Sequence, residues 1–102
     1  MRLAIYGAGS IGTALGAFLS RNGVEIDLFN HNRPHVEALR AHGAKVVGTV
    51  DFTVMVRAFY TEEMTGIYDV VFLMTKQLDN RRVIEGILPH LGAKSIVCTM
   101  QN

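Results

Sequence analysis

Three glycines in fixed register, within Gly7-Ala8-Gly9-Ser10-Ile11-Gly12, carry the strongest chemical signal in the chain. Gly7 permits a sharp turn, and Gly9 has no Cβ to hold an anion off the backbone. Gly12 lets a helix lie close against the strand before it. The motif falls between the apolar run Leu3-Ala4-Ile5-Tyr6 and a segment of helical spacing from Ser10 to Asn22. GxGxxG between a first strand and a first helix is a dinucleotide-binding fingerprint, with the pyrophosphate at the helix N-terminus. Unpaired N–H groups and the helix dipole favour an anion there, and Ser10 adds a hydroxyl. Ala8 and Ile11 complete the loop assigned to the cofactor. A glycine-rich turn without a ligand is the alternative.

Ligands of an open α/β sheet bind past the carboxyl ends of the strands, so each strand end is a place to look for contacts. An NAD site usually has Asp or Glu after the second strand, roughly 20 residues past the glycines, to bind the ribose 2′-hydroxyl. This chain has Asn30, His31, Asn32 and Arg33 instead, and Asp27 lies inside the strand, too early to serve. Arg33 would attract a 2′-phosphate and Asn32 could donate a hydrogen bond, so NADP is favoured over NAD. Pro34 is expected to keep Arg33 out of helical geometry and at the edge of the site. A solvated loop role for Arg33 stays open.

Thr75-Lys76 follows the long apolar strand, where a lysine can reach a bound pyrophosphate or ribose; a solvated lysine is the alternative. Gln101-Asn102 holds the matching place after the last strand. Its amides suit a nicotinamide ribose or a substrate oxygen, against an ordinary polar loop. His31, His35, His42 and His90 show no metal-ligand spacing, so no metal is expected. His35 and His42, seven apart on one helix, read as surface residues; His31 could stack near an adenine. Cys98 reads as strand packing rather than a nucleophile.

The elements that must position these residues alternate. Leu3–Tyr6 is the first strand, followed by a helix with Ile11, Leu15 and Leu19 on one side and Gly12 and Gly16 beside them. Two glycines on an apolar helix face point to close packing on a sheet, since each costs about 1 kcal/mol against alanine. Asn22-Gly23 ends that helix. Val24–Phe29 is the second strand, and Pro34 suits the first turn of a helix reaching His42. Lys45–Val47 starts a third strand. From Val50 to Tyr60 a period of two sets Phe52, Val54, Val56 and Ala58 opposite Asp51, Thr53, Met55 and Arg57. This pattern predicts a hairpin on the sheet edge, turning at Gly48-Thr49. Thr61–Gly66 holds only a short helix. Tyr68–Met74 reads as a central parallel strand. Gln77–Leu88 is a helix with Val83, Ile84, Ile87 and Leu88 inward, and Ser95–Thr99 is the last strand. The order gives an α/β, Rossmann-type doubly wound parallel sheet with a small antiparallel edge hairpin, as a single domain over residues 1–102.

Composition narrows the function classes. A net charge of +1 offers no basic field for nucleic acid, and no apolar stretch approaches the ~20 residues of a membrane span. One cysteine cannot form an internal disulfide, which suits a reducing cytoplasm.

Taken together, the quoted residues resemble the ketopantoate reductase (2-dehydropantoate 2-reductase) family. Met1 to Gly12 looks like that family's start, and His35-Val36-Glu37-Ala38-Leu39-Arg40-Ala41-His42-Gly43 is similar to its second-helix segment. Asp69-Val70-Val71-Phe72-Leu73-Met74-Thr75-Lys76 resembles the strand ending in its cofactor-contacting lysine, and Thr99-Met100-Gln101-Asn102 the start of its Gln-Asn-Gly motif. The resemblance implies NADPH-dependent reduction of the 2-keto group of ketopantoate to D-pantoate, in pantothenate and coenzyme A synthesis. It implies the glycine loop on the pyrophosphate, Arg33 on the 2′-phosphate and Lys76 at the nicotinamide end. Asn102 would touch the nicotinamide ribose and the substrate. The family's catalytic lysine belongs to a C-terminal helical domain. The chain is therefore expected to be a cofactor domain truncated at its C-terminal end, inactive alone and holding no catalytic residue. Residues around Gln77–Asn80 depart from the family pattern, which leaves another 2-keto acid open as substrate. Expected partners are that small acid and a second copy in a homodimer, with no nucleic acid and no membrane. The alternatives are a β-hydroxyacid or 6-phosphogluconate-type dehydrogenase domain and a non-catalytic dinucleotide sensor; the missing acid after the second strand counts against the sensor.

Overall fold

The computed structural model describes residues 1–74 and 80–99. In chain order these form β1 (Leu3–Tyr6), α1 (Ser10–Arg21), β2 (Ile26–Asn30), α2 (Arg33–His42), β3 (Ala44–Val46), β4 (Phe52–Val54), β5 (Arg57–Tyr60), β6 (Tyr68–Leu73), α3 (Asn80–Ile87) and β7 (Leu91–Thr99). β1, β2, β5, β6 and β7 make one parallel sheet in the order β5-β2-β1-β6-β7. The order reverses beside β1: β2 lies on one side of it and β6 on the other. In an open α/β sheet such a reversal marks the place of the ligand crevice, at the carboxyl ends of the strands, and the glycine loop follows β1 there.

Both faces of the sheet are covered, which explains why its central strands carry unbroken apolar runs. On one face α1 and α2 enclose Ile5, Ala17, Ile26, Leu28, Val36, Leu39 and Ala58. On the other, Ala4, Phe29, Met64, Tyr68, Val71 and Ile87 pack together. The helix glycines do what their spacing predicted. A Cβ on Gly16 would stand 2.7 Å from Leu28 Cδ2, and one on Gly12 3.2 Å from Ile5 Cγ2. The backbone of α1 lies directly against side chains of the sheet there.

Several expectations are corrected. β2 runs from Ile26 to Asn30, not from Val24, and β3 begins at Ala44 rather than Lys45. The antiparallel hairpin exists, pairing Ala44 with Val54, but as its own two-stranded sheet. It packs on α1, with Phe52 edge-on to Phe18 at 5.1 Å. The edge of the main sheet belongs to β5, parallel to β2. The expected alternation holds residue by residue from Asp51 to Ala58, with Val56 and Ala58 buried and Asp51, Thr53, Met55 and Arg57 exposed, but Val50 is exposed and Phe59 and Tyr60 are both half-buried. A period of two cannot separate a hairpin arm from an edge strand, because both cover one face. Leu15 and Leu19 join the core but Ile11 is 72% exposed, since the first turn of α1 overhangs the end of β1. Among the described side chains of α3, Ile87 alone is buried; Val83 is half-buried and Ile84 faces outward, as does Leu88 in the tight turn that follows with Pro89. Cys98 is half-buried in β7. No helix among the described residues is long and apolar enough to cross a membrane.

Candidate functional site

β1 ends at Tyr6, and Gly7 takes φ 85°, a left-handed conformation that turns the chain sharply and that glycine adopts freely. The N–H groups of Gly7 and Ala8 both donate to the Phe29 carbonyl at 2.9 Å, so the turn is held against the end of β2. Thr13 N–H donates to the Gly9 carbonyl at 2.8 Å, which closes the first turn of α1. The N–H groups of Ser10, Ile11 and Gly12 precede that ladder and face the helix end. A Cβ built on Gly9 meets nothing within 4 Å among the described residues. Here lies a cradle that a side chain would fill and that a pyrophosphate fits, with Ser10 and the exposed Ile11 at its rim.

Beneath the cradle a ring of hydrogen bonds ties the glycine loop to the β2–α2 turn. Asn30, at the end of β2 and only 9% exposed, donates through Nδ2 to the Ala8 carbonyl at 2.9 Å. Its Oδ1 accepts from Asn32 N–H at 2.7 Å. Asn32 caps α2, its Oδ1 accepting from His35 N–H at 3.1 Å. His35 Nε2 lies 3.0 Å from the same Ala8 carbonyl and 3.2 Å from Thr13 Oγ1; the Nε2–H tautomer donates to that carbonyl. Thr13 Oγ1 donates to that carbonyl as well, at 3.0 Å. Sequence reading placed His35 on the surface and missed this. The signal was present: a histidine three residues after an asparagine cap lies on the first helical turn, within reach of the preceding strand's end.

Arg33 is the first residue of α2, contrary to the expectation that Pro34 would hold it outside. Proline falls within the opening turn, where its missing N–H costs nothing, and the Asn32 cap sets the start one residue earlier. The Arg33 guanidinium pairs with Glu62, beyond the end of β5, and lies 4.1 Å above the Tyr60 ring. Arg40 pairs with Glu63 and donates to the Ala58 carbonyl. The Glu63 carboxyl is held below the usual range, first by the Tyr60 N–H it accepts and then by Arg40. Tyr60 donates its hydroxyl to Glu37 at 2.8 Å, and that carboxylate pushes the phenol up. An acid therefore does stand beside the loop after β2, but it arrives from β5. Asn32 and Arg33 lie next to the glycine loop through the ring. Lys76 and Asn102 lie outside the described residues.

A family model described as ketopantoate reductase, PanE/ApbA, matches residues 3–102. The chain belongs to the ketopantoate reductase family. A 2-dehydropantoate 2-reductase of Pyrococcus abyssi is 33% identical over the whole chain and 33% of its own length. A glycerol-3-phosphate dehydrogenase [NAD(P)+] of Erwinia tasmaniensis is 36% identical over 91% of the chain and 28% of its own. The crystal structure of a 2-dehydropantoate 2-reductase from Geobacter metallireducens superposes with a TM-score of 0.87 at 33% identity, over 100% of this chain and 34% of the other. This member of the ketopantoate reductase family thus spans about a third of the length of the curated relatives it matches.

Proposed function

We propose that residues 1–102 form the nucleotide-binding domain of an NADPH-dependent reductase that converts 2-dehydropantoate to D-pantoate in pantothenate biosynthesis, an oxidoreductase of the cytoplasm. The open cradle at Gly9, at the mouth of the β1–β6 crevice, carries this reading. Gly7, Ala8, Gly9, Ser10, Ile11 and Gly12 would hold the pyrophosphate, and Asn32 and Arg33 the 2′-phosphate. Family membership supports Lys76 at the nicotinamide end and Asn102 on the nicotinamide ribose and a small 2-keto acid. When bound, the reduced nicotinamide supplies hydride to the keto carbon. The forming alkoxide needs a proton donor and walls that exclude water, and none of the site residues named here is assigned that proton. The likeness to glycerol-3-phosphate dehydrogenase makes the cofactor half common ground between enzymes of different substrates, so the cofactor and substrate readings can be tested apart.

Fluorescence titration of the purified chain with NADPH and NADH tests both. The chain is expected to bind NADPH more tightly than NADH and to reduce ketopantoate no faster than buffer. Arg33→Asp should cost NADPH one charge-assisted contact, roughly 1.5–3 kcal/mol, and NADH little. Equal losses for the two nucleotides would remove Arg33 from phosphate recognition. Turnover by the chain alone would place the proton donor inside it.

A further inference from the structure

We propose that His35 is a positioning residue that, with Asn30, sets the backbone of the glycine loop for the bound nucleotide, an inference that rests on the dinucleotide reading above. Ala8 is 1% exposed, and its carbonyl receives donors from three elements: Thr13 of α1, Asn30 of β2 and His35 of α2. A carbonyl has two lone pairs, so the three donors converging on it share them, and together they restrain the orientation of the Ala8–Gly9 peptide. That peptide is the floor of the cradle at Gly9. The ring returns through Asn30 Oδ1, Asn32 N–H, Asn32 Oδ1 and His35 N–H to the start of α2. The loop that meets the pyrophosphate and the turn that bears Arg33 are therefore one hydrogen-bonded unit. His35 is the member that closes it.

His35 touches neither phosphate in this arrangement; its ring N–H acts through the Ala8 carbonyl. Its removal must weaken NADPH and NADH alike, whereas Arg33 distinguishes them. Neutral hydrogen bonds of this kind correspond to about a two- to tenfold change in affinity. His35→Ala is expected to raise both dissociation constants by a common factor in that range, with the ratio between them kept. His35→Gln keeps an N–H at the reach of Nε2 and is expected to restore both to within about twofold of the parent, a rescue that bulk packing would not give.

Amide hydrogen exchange on the same variants, with no nucleotide present, reads the ring directly. Exchange at Asn32 N–H, held by Asn30 Oδ1, should quicken in His35→Ala and slow again in His35→Gln. Unchanged affinity and exchange in His35→Ala would overturn the proposal. So would a Gln variant no better than the Ala variant. A parent chain that binds neither nucleotide would overturn the dinucleotide reading instead, and a quickened Asn32 would still support the ring.

Discussion

The two ends of the sheet carry the same kinds of side chain and use them in opposite ways. At the amino end of the strands, Asp27 is nearly buried and takes Arg57 on Oδ1 and the Tyr68 hydroxyl, at 2.6 Å, on Oδ2. Arg2 donates to the Thr65 and Ile67 carbonyls at 2.9 and 3.1 Å, and its N–H donates to Asp69 at 2.6 Å. Donors and acceptors there are matched within the protein. Clefts at that end, lined by Arg2, Asp27, Arg57 and Tyr68, are gaps between groups already satisfied. At the carboxyl end, the buried ring under Ala8 is equally saturated, but above it the N–H groups of the first turn of α1 precede the helix ladder and, among the described residues, the space over Gly9 is open. Arg33 and Glu62 are paired only in solvent, their side chains 58% and 59% exposed. A polar cluster becomes a candidate site where donors are left over, not where they are most numerous.

The sharpest way to break that contrast is at the glycines. Gly9 has φ −77° in extended backbone, which other residues adopt, and open space around it among the described residues. Gly9→Val should therefore melt with the parent, yet lose at least about 100-fold in affinity for NADPH and NADH, since its side chain would displace two or more charge-assisted contacts. Gly12→Val should do the reverse. Its Cβ would stand 3.2 Å from Ile5 Cγ2 and 3.4 Å from Met74 Sδ before either methyl is placed, and overpacking of this kind costs roughly 1–3 kcal/mol. Thermal melts and titrations of both variants check the pair. A Gly12→Val protein as stable as the parent would undo the packing argument, and a Gly9→Val protein that binds normally would empty the cradle of meaning.

The saturated end makes its own prediction. Tyr68→Phe leaves Asp27 Oδ2 without its phenol and should cost about 1–3 kcal/mol of stability while leaving nucleotide affinity unchanged. Burial, and next the Asp27 carboxylate that accepts its proton, hold the Tyr68 phenol well above the ordinary tyrosine range. A phenol raised in the folded state contributes stability that is complete below the unfolded value, about 10, and lost as pH rises beyond it. Denaturation at stepped pH should show the parent weakening above that value and Tyr68→Phe weakening less. Parallel pH profiles would separate Tyr68 from alkaline unfolding.

Local features were legible in the sequence because their causes are local. The turn at Gly7, the Pro34 opening of α2, the close helix packing at Gly12 and Gly16 and the alternation toward Tyr60 each follow from one residue's conformational range or from a period. What stayed hidden depends on partners brought together by the fold. By sequence, Asn30 is only one of four residues standing where a ribose-binding acid would be; its side chain turns inward to Ala8, 22 positions earlier. His35 looked like a helix-surface residue until β1 and β2 placed that same carbonyl beneath it. Glu62 drew no notice, because nothing in its surroundings along the chain shows that it meets Arg33, 29 residues away. The edge hairpin was misplaced for the same reason, since pattern gives covered faces and not neighbours.

Glu62 supplies the smallest and most discriminating test. An exposed ion pair is worth about 0.2–1 kcal/mol, and a 2′-phosphate would have to draw Arg33 away from it. Glu62→Gln should then improve NADPH binding by a factor of about 1.5–5 and leave NADH unchanged. The opposite result is also physically coherent. A carboxylate beside the β2–α2 turn can accept the ribose 2′-hydroxyl, the role that sequence reading sought only after β2. If Glu62→Gln weakens NADH and gives NADPH nothing, the acid of an NAD site is present after all, delivered from the end of β5. The NADPH preference would then be wrong even though the glycine cradle was right. Parallel titrations of parent and variant with both nucleotides separate the two, because the Arg33 competition and the ribose contact move opposite nucleotides in opposite directions.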